Sequence, residues 1–233
     1  MGINMSDTPS HVGMILDGNR RWALKHALKP WEGHKAGKEN LQKMLYHWID
    51  TDIKYLTLYS LSLDNFKNRN EIEKKFLLQV IQAGFDELVT DELIKKGEVN
   101  VNVIGRWELL PENLKKSIQK AIDATKDYNK KFLRFAICYD GQDELVHAAQ
   151  NIANKEIETV TPETIKQNLF TKDLPPVDLL IRTGGEKRLS GFLLWDASYA
   201  ELYFTEVLFP DAVPDTFDEA VEEFKNRQRR FGK

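Results

Sequence analysis

His11-Val12-Gly13-Met14-Ile15-Leu16-Asp17-Gly18-Asn19-Arg20-Arg21-Trp22-Ala23 is the stretch whose reading decides the fold. An apolar run from Val12 to Leu16 meets Asp17-Gly18-Asn19, a turn signal, and a helical stretch follows. Strand, glycine turn and helix start together make a phosphate cradle, because free backbone N–H groups and the helix dipole favour an anion there. Arg20 and Arg21 add charge-assisted donors. Asp17 beside an anion makes sense when a hard cation such as Mg²⁺ bridges the two. The bland alternative is a capped helix with surface arginines.

The alternation continues outward from this unit. A helix is expected from about His34 to Asp50, with Leu41, Met44, Leu45, Trp48 and Ile49 on one face. Tyr55 to Leu61 reads as a buried strand. A polar loop, Ser62 to Asn70, leads to a long helix from about Glu71 to Lys96. Its Phe76, Leu77, Val80, Ile81, Phe85, Leu88 and Val89 form a broad apolar stripe. That stripe packs on a core or lines a cavity for a hydrocarbon chain. Val99 to Ile104 reads as a strand, Pro111 to Tyr128 as a helix and Phe132 to Tyr139 as a strand. Asp143 to Asn154 is helical, Thr161-Pro162-Glu163 opens a short helix, and Val177 to Arg182 is a strand ending at Thr183-Gly184-Gly185. An amphipathic helix, increasingly basic towards its end, starts near Phe217. Such alternation implies an α/β fold, one mainly parallel sheet covered by helices. Ligands then bind beyond the carboxyl ends of the strands.

With 233 residues and no Pro/Gly/Ser-rich linker, residues 1–233 are expected to form a single domain, with 1–10 an extended or disordered lead-in. A net charge of −3 gives no reason to expect nucleic acid. Cys138, the only cysteine, sits in the apolar run Phe135 to Tyr139 and reads as an inert buried thiol. The polar first ten residues and the lack of an apolar run near 20 residues point to a cytoplasmic protein without signal peptide or membrane span.

Two further clusters fall at expected strand ends. Ser62-Leu63-Asp64-Asn65-Phe66-Lys67-Asn68-Arg69, with Glu73, offers hydroxyl, amide and cationic groups around an aromatic ring, or is a solvated loop. Arg182, Arg188 and Ser190, spaced by Thr183-Gly184-Gly185, are suited to holding a diphosphate where small residues let the backbone approach. Glu201 stands in the apolar run Tyr199 to Phe204, where an unpaired carboxylate is costly; a metal or an arginine would account for it. There is no Walker loop, G-x-G-x-x-G, H-E-x-x-H or cysteine zinc site, and no adjacent pair of aspartates. These residues specify two anionic subsites and Mg²⁺ without naming a reaction.

Taken together, His11 to Ala23, Gly33-His34-Lys35-Ala36-Gly37, Asp178 to Glu186, Arg188-Leu189-Ser190 and Ala200 to Phe204 closely resemble the cis-prenyltransferase family, the undecaprenyl diphosphate synthase-like isoprenyl transferases. The resemblance runs from His11 to Gly232. It implies magnesium-dependent condensation of isopentenyl diphosphate with an allylic prenyl diphosphate, giving cis double bonds and a polyprenyl diphosphate. It further implies a homodimer, an apolar tunnel for the growing chain, and transient contact with a membrane surface. By position, Asp17 and Glu201 would hold Mg²⁺, while Gly18, Asn19, Arg20, Arg21 and His34 would hold the allylic diphosphate. Arg182, Arg188 and Ser190 would take the isopentenyl diphosphate. Trp22, Ser62, Asn65 and Phe66 would shape the pocket, Asn65 also assisting proton loss. Arg69 and Glu73 stand as equivalents of family residues in the second loop. Arg230 and Gly232 match a family R-x-G motif that reaches the partner's site.

The chain departs from the family at three places. Pro30 stands where an arginine is usual, Asn68 is an extra residue in a loop that lacks its usual proline, and Cys138-Tyr139-Asp140-Gly141-Gln142 replaces N-Y-G-G-R. These changes imply an unusual allylic donor or acceptor. Irregular coupling of two allylic units and a silent partner subunit are the alternatives.

Overall fold

Successive residues of the first strand, β1 (His11–Ile15), serve two different cores. Val12 and Met14 belong to one hydrophobic cluster and Ile15 to another. Gly13 faces the second, where an added Cβ would lie 3.2 Å from the Phe192 ring. A strand buried on both faces belongs to a sheet covered on both sides.

The computed structural model describes residues 8–227. Within them β1, β2 (Tyr55–Ser62), β3 (Val99–Ile104), β4 (Lys131–Tyr139), β5 (Leu179–Arg182) and β6 (Glu201–Phe204) form one sheet in the order β3-β4-β2-β1-β5-β6. Every neighbouring pair is parallel. The helices are α1 (Asn19–Lys25), α2 (Pro30–Ile49), α3 (Leu63–Asn68), α4 (Glu71–Thr90), α5 (Glu92–Lys96), α6 (Glu112–Thr125), α7 (Gly141–Asn154), α8 (Pro162–Lys166) and α9 (Pro214–Asn226). The expected α/β sheet surrounded by helices is therefore present. Most of the expected N-terminal lead-in, and Arg229, Arg230 and Gly232, fall outside the described residues.

The larger core draws Trp48 and Leu45 from α2, Phe85 from α4, Ile118 from α6 and Phe217 from α9 onto one sheet face. Trp48 is wholly buried, and a side chain of that size contributes about 3 kcal/mol or more. Cys138 is also fully buried, and burial pushes its thiol up to about 12, so it is inert.

Four boundaries differ from expectation. The helix expected over 71–96 breaks at Asp91, whose carboxylate accepts from Leu93 N and Ile94 N and so caps a new helix. Part of the Ser62–Asn70 loop is helical, because Ser62 Oγ accepts from Asn65 N. Helix α2 starts at Pro30, four residues early; Pro30 takes the first turn and Glu32 accepts from Lys29 N. Pro30 thus gives up a cationic side chain for a helix start. Strand β6, four half-buried residues, was too short to stand out by pattern.

The connections explain where a ligand would sit. From β1 the chain moves to β2 on one side, and from β5 it moves to β6 on the other. The crevice between the carboxyl ends of β1 and β5 is therefore a topological switch point, the usual ligand position in open parallel sheets.

Candidate active site

Asp17 and Arg182 meet in that crevice. Arg182 Nη2 donates to Asp17 Oδ2 at 2.9 Å, and Nη1 donates to Ser190 Oγ at 2.8 Å and to the Arg188 carbonyl at 2.5 Å. Arg21 Nη2 stands 3.1 Å from Asp17 Oδ1, so two guanidiniums flank one carboxylate. Thr183 locks the loop: its Oγ1 accepts from Asp17 N at 3.0 Å and donates to Asp17 O at 2.7 Å. Gly184 has φ +86°, and an added Cβ would lie 2.7 Å from Arg21 Nη2. Only glycine permits that approach. Arg182 is 4% exposed, and its Nε is buried without a partner, an unmet donor at the crevice.

The opposite wall is built around Glu73. Its Oε1 lies 3.5 Å from Arg20 Nε and from Arg69 Nη1, and 3.4 Å from His34 Nε2. Arg69 Nη1 donates to the same His34 nitrogen at 3.2 Å. A neutral imidazole accepting there cannot also donate to Glu73 from that atom, so the Glu73–His34 approach is a contact between acceptors. Burial, aided by the charge of Arg69, pushes His34 down to about 4, which keeps it neutral near pH 7. Burial also lowers Arg69. Glu73 is buried while Arg20 keeps 59% of its side chain exposed, leaving a cation free to meet an anion.

Asn19 joins the walls. Its Nδ2 donates to Leu16 O at 3.2 Å, while its Oδ1 is buried without a partner. Added Cβ atoms at Gly33 and Gly37 would collide with the Asn19 carbonyl and amide oxygens. The G-H-K-A-G segment is thus glycine-bounded because α2 presses directly on Asn19.

A cavity of about 780 Å³ opens from this polar mouth. Asp17, Arg20, His34, Arg69, Arg182 and Ser190 line its entrance, with Gly18, Asn19, Arg21, Ser62, Asn65 and Arg188. Leu41 and Leu45 of α2 face Leu77, Val80, Ile81, Phe85 and Leu88 of α4 deeper in, with Phe135 and Ile137 of β4 also in the lining. Charged mouth and apolar interior suit an amphiphile with an anionic head. A family model, undecaprenyl diphosphate synthase, matches residues 15–232. The chain belongs to that family.

This prenyltransferase is 41% identical over 231 residues to the tritrans,polycis-undecaprenyl-diphosphate synthase (geranylgeranyl-diphosphate specific) of Pyrococcus horikoshii, covering 97% of this chain and 87% of that one. It is 40% identical to the isoprenyl transferase of Rickettsia prowazekii, over 97% of this chain and 99% of that one. Among solved structures, lavandulyl diphosphate synthase from Lavandula x intermedia, in complex with dimethylallyl diphosphate, matches with a TM-score of 0.91 at 33% identity. That match covers 97% of this chain and 99% of the other.

Four expected site residues of the prenyltransferase stand elsewhere. Trp22 does not line the cavity; its Nε1 donates to Asp211 Oδ1 at 2.6 Å and its ring lies against His26. Phe66 turns from the cavity into a separate groove, with Lys74 Nζ 5.4 Å above its ring. In α3 neighbouring positions point about 100° apart; Asn65 takes the side towards the cavity and Phe66 the side towards the groove. Phe76 stacks on Trp31 at 4.9 Å instead of joining the cavity stripe. Glu201 sits at the amino end of β6, opposite Leu179, which is opposite Val12. Asp17 follows Val12 by five residues, about 16 Å of strand, and Glu201 pairs with Arg227 Nη1 at 3.2 Å within the protomer.

Three contributors were missed. Tyr59 lines the cavity, and its single O–H is shared between the Tyr139 carbonyl at 3.1 Å and the Ser190 carbonyl at 3.2 Å. Thr183 holds Asp17, as described. Asp140 lines the cavity while capping α7 through Gln142 N and Asp143 N, which accounts for an aspartate at that position. The Asp140-Gly141 pair before a helical pattern was the available signal for that cap.

Proposed function

We propose that this prenyltransferase condenses isopentenyl diphosphate with an allylic prenyl diphosphate, extending the chain by five-carbon units with cis double bonds. One observation carries the reading: the Asp17–Arg182–Ser190 crevice opens directly into an apolar-walled cavity. Arg182, Arg188 and Ser190 take the diphosphate of isopentenyl diphosphate. Gly18, Asn19, Arg20, Arg21, His34 and Arg69 take the allylic diphosphate, with Glu73 holding Arg20 and Arg69 in place. Ser62 and Asn65 border the reacting carbons, and Asn65 assists loss of the proton. The α2–α4 walls form the tunnel for the growing hydrocarbon.

Asp17 is a hard oxygen donor at the mouth, among cations that require an anion, and Mg²⁺ characteristically binds one or two carboxylates plus substrate phosphates. The residues present therefore fit Mg²⁺ at Asp17. Among the described residues no cluster of three or more metal-ligating His, Cys, Asp or Glu side chains occurs, so the substrates would complete the shell. When bound, Mg²⁺ neutralises charge that develops on the leaving diphosphate. Arg20 and Arg21 add to that stabilisation, and the two walls hold both substrates in line.

The protein is further proposed to be a cytoplasmic homodimer of single-domain protomers, with Arg230 and Gly232 serving the partner's site and Glu201, distant from Asp17 within its own protomer, contributing to the metal across that dimer. It is proposed to touch membranes transiently; no helix among the described residues is long and apolar enough to cross one. The test supplies labelled isopentenyl diphosphate, Mg²⁺ and allylic diphosphates of several lengths, with a chelator control. Magnesium-dependent cis-polyprenyl products support the proposal. A branched product from allylic diphosphate alone would replace it with irregular coupling, and no incorporation with any donor would point to a silent subunit.

A further inference from the structure

The turn between α1 and α2 exposes apolar side chains beside the cavity mouth. Leu24 is 68% exposed and Leu28 36%, and every residue from Leu24 to Lys29 is exposed. Trp31 follows, stacked on Phe76, and Ile72 lies one helical turn before Phe76 on α4 with 61% exposure. Four of the ten most exposed large hydrophobics in the described chain thus fall in two short segments that touch each other through the Trp31–Phe76 stack. Single exposed apolar residues need no explanation, but a cluster does.

Cations outnumber acids around the cluster. Residues 20–35 carry Arg20, Arg21, Lys25, Lys29 and Lys35 against a single acid, Glu32, in a chain of net charge −3. Glu32 is engaged with Lys29 N, and across the patch Glu71 is paired with Lys74. Lys29 Nζ lies 5.2 Å over the Trp31 ring, so an ammonium borders the aromatic rather than an acid. Leu24 also lines the main cavity, so the patch is continuous with the site's entrance.

We infer that the α1–α2 turn and the first turns of α4 form a docking surface for an anionic lipid bilayer. Leu24, Leu28, Ile72 and Phe76 enter the acyl boundary while Lys25, Lys29 and Lys75 meet phosphate headgroups. An apolar face bordered by lysines is the chemistry of an interfacial anchor. Its place at the cavity mouth lets a hydrocarbon product pass between cavity and bilayer without crossing water. The inference rests on the proposed membrane contact and assigns it a surface.

The experiment is flotation of the full-length protein with vesicles of phosphatidylcholine alone or with about one-third phosphatidylglycerol. The parent, Leu28→Ser/Ile72→Ser and Lys25→Gln/Lys75→Gln are compared, and none of these four positions lines the main cavity. Binding to anionic vesicles is expected to exceed that to neutral ones about tenfold. It should fall several-fold at about 0.5 M salt. Both variants should lose most of it, with unchanged melting curves and unchanged turnover of a short allylic diphosphate in vesicle-free buffer. Parent-like binding by both variants, or equal binding to both vesicle types, overturns the inference. So does a change in oligomeric state in either variant, which would assign the patch to a second copy. Turnover lost without vesicles would assign it to closure over substrate and also overturn it. The flotation readout requires no catalysis, so failure of the proposed reaction leaves it interpretable.

Discussion

Two carboxylate–arginine pairs sit at opposite ends of one sheet. Asp17 meets Arg182 at 2.9 Å where β1 and β5 finish, and Glu201 meets Arg227 at 3.2 Å where β6 begins. Their chemistry is the same and their settings are not. At the first pair the arginine is buried, keeps an unmet Nε–H and borders a cavity. At the second, Arg227 also holds Glu223 and the Leu202 carbonyl, and the cavity lies elsewhere. Placement at the mouth of a cavity, rather than the ion pair itself, distinguishes a binding site from a structural tie.

The sharpest way to break this comparison is Asp17→Ala. Loss of the carboxylate at the mouth should lower kcat/KM about a thousandfold, measured by incorporation of labelled isopentenyl diphosphate. Activity above a tenth of the parent value would remove Asp17 from the chemistry.

Glu73 tests whether a buried carboxylate without access to substrate still governs the site. Glu73→Ala leaves Arg69 buried without its counter-ion and should cost about 3 kcal/mol in a denaturant titration. KM for the allylic diphosphate should rise more than kcat falls, because Arg20 and Arg69 lose a shared anchor. An unchanged unfolding midpoint would show that the two arginines need no such support.

His34 gives a pH-dependent comparison of the same wall. Its folded value, about 4, lies below the ordinary 6.5, so between those values the unfolded chain binds the proton and the native site does not. This contribution to stability is whole above about pH 6.5 and is lost progressively as pH falls toward 4. His34→Gln should therefore flatten the melting-temperature profile over that window. A variant profile parallel to the parent's would mean that folding leaves the His34 proton equilibrium unshifted.

Glu201→Gln is expected to have the smallest effect. A partly exposed pair with Arg227 contributes about 1 kcal/mol or less, so melting should change little. Catalysis decides the rest. Parent-like Mg²⁺ dependence would leave Glu201 a structural tie, whereas a raised Mg²⁺ requirement would restore its proposed metal role through another protomer and erase the contrast with Asp17.

What sequence could and could not reveal follows from range. The strand–glycine–helix reading at Val12 to Trp22 and the polar set at Arg182, Arg188 and Ser190 are local, and the structure brings residues of both to one crevice. Trp22 and Phe66 were assigned to the pocket by residue type, but side-chain direction depends on helix phase and on partners distant in sequence, Asp211 for Trp22. The break at Asp91 was readable as a capping signal and was masked by continuous apolar periodicity on both sides.

By itself, then, the sequence determined the alternation of strands and helices, the inert core thiol and the three polar segments that line the cavity mouth. Each depends on neighbours within a few residues, or on a burial pattern that repeats along one element. Tertiary structure alone decided that Arg182 faces Asp17 across 165 positions, that Glu73 gathers Arg20, His34 and Arg69, and that Glu201 lies at the far end. Those outcomes depend on sheet order and strand register, which arise when the whole core packs and which no short window of residues contains.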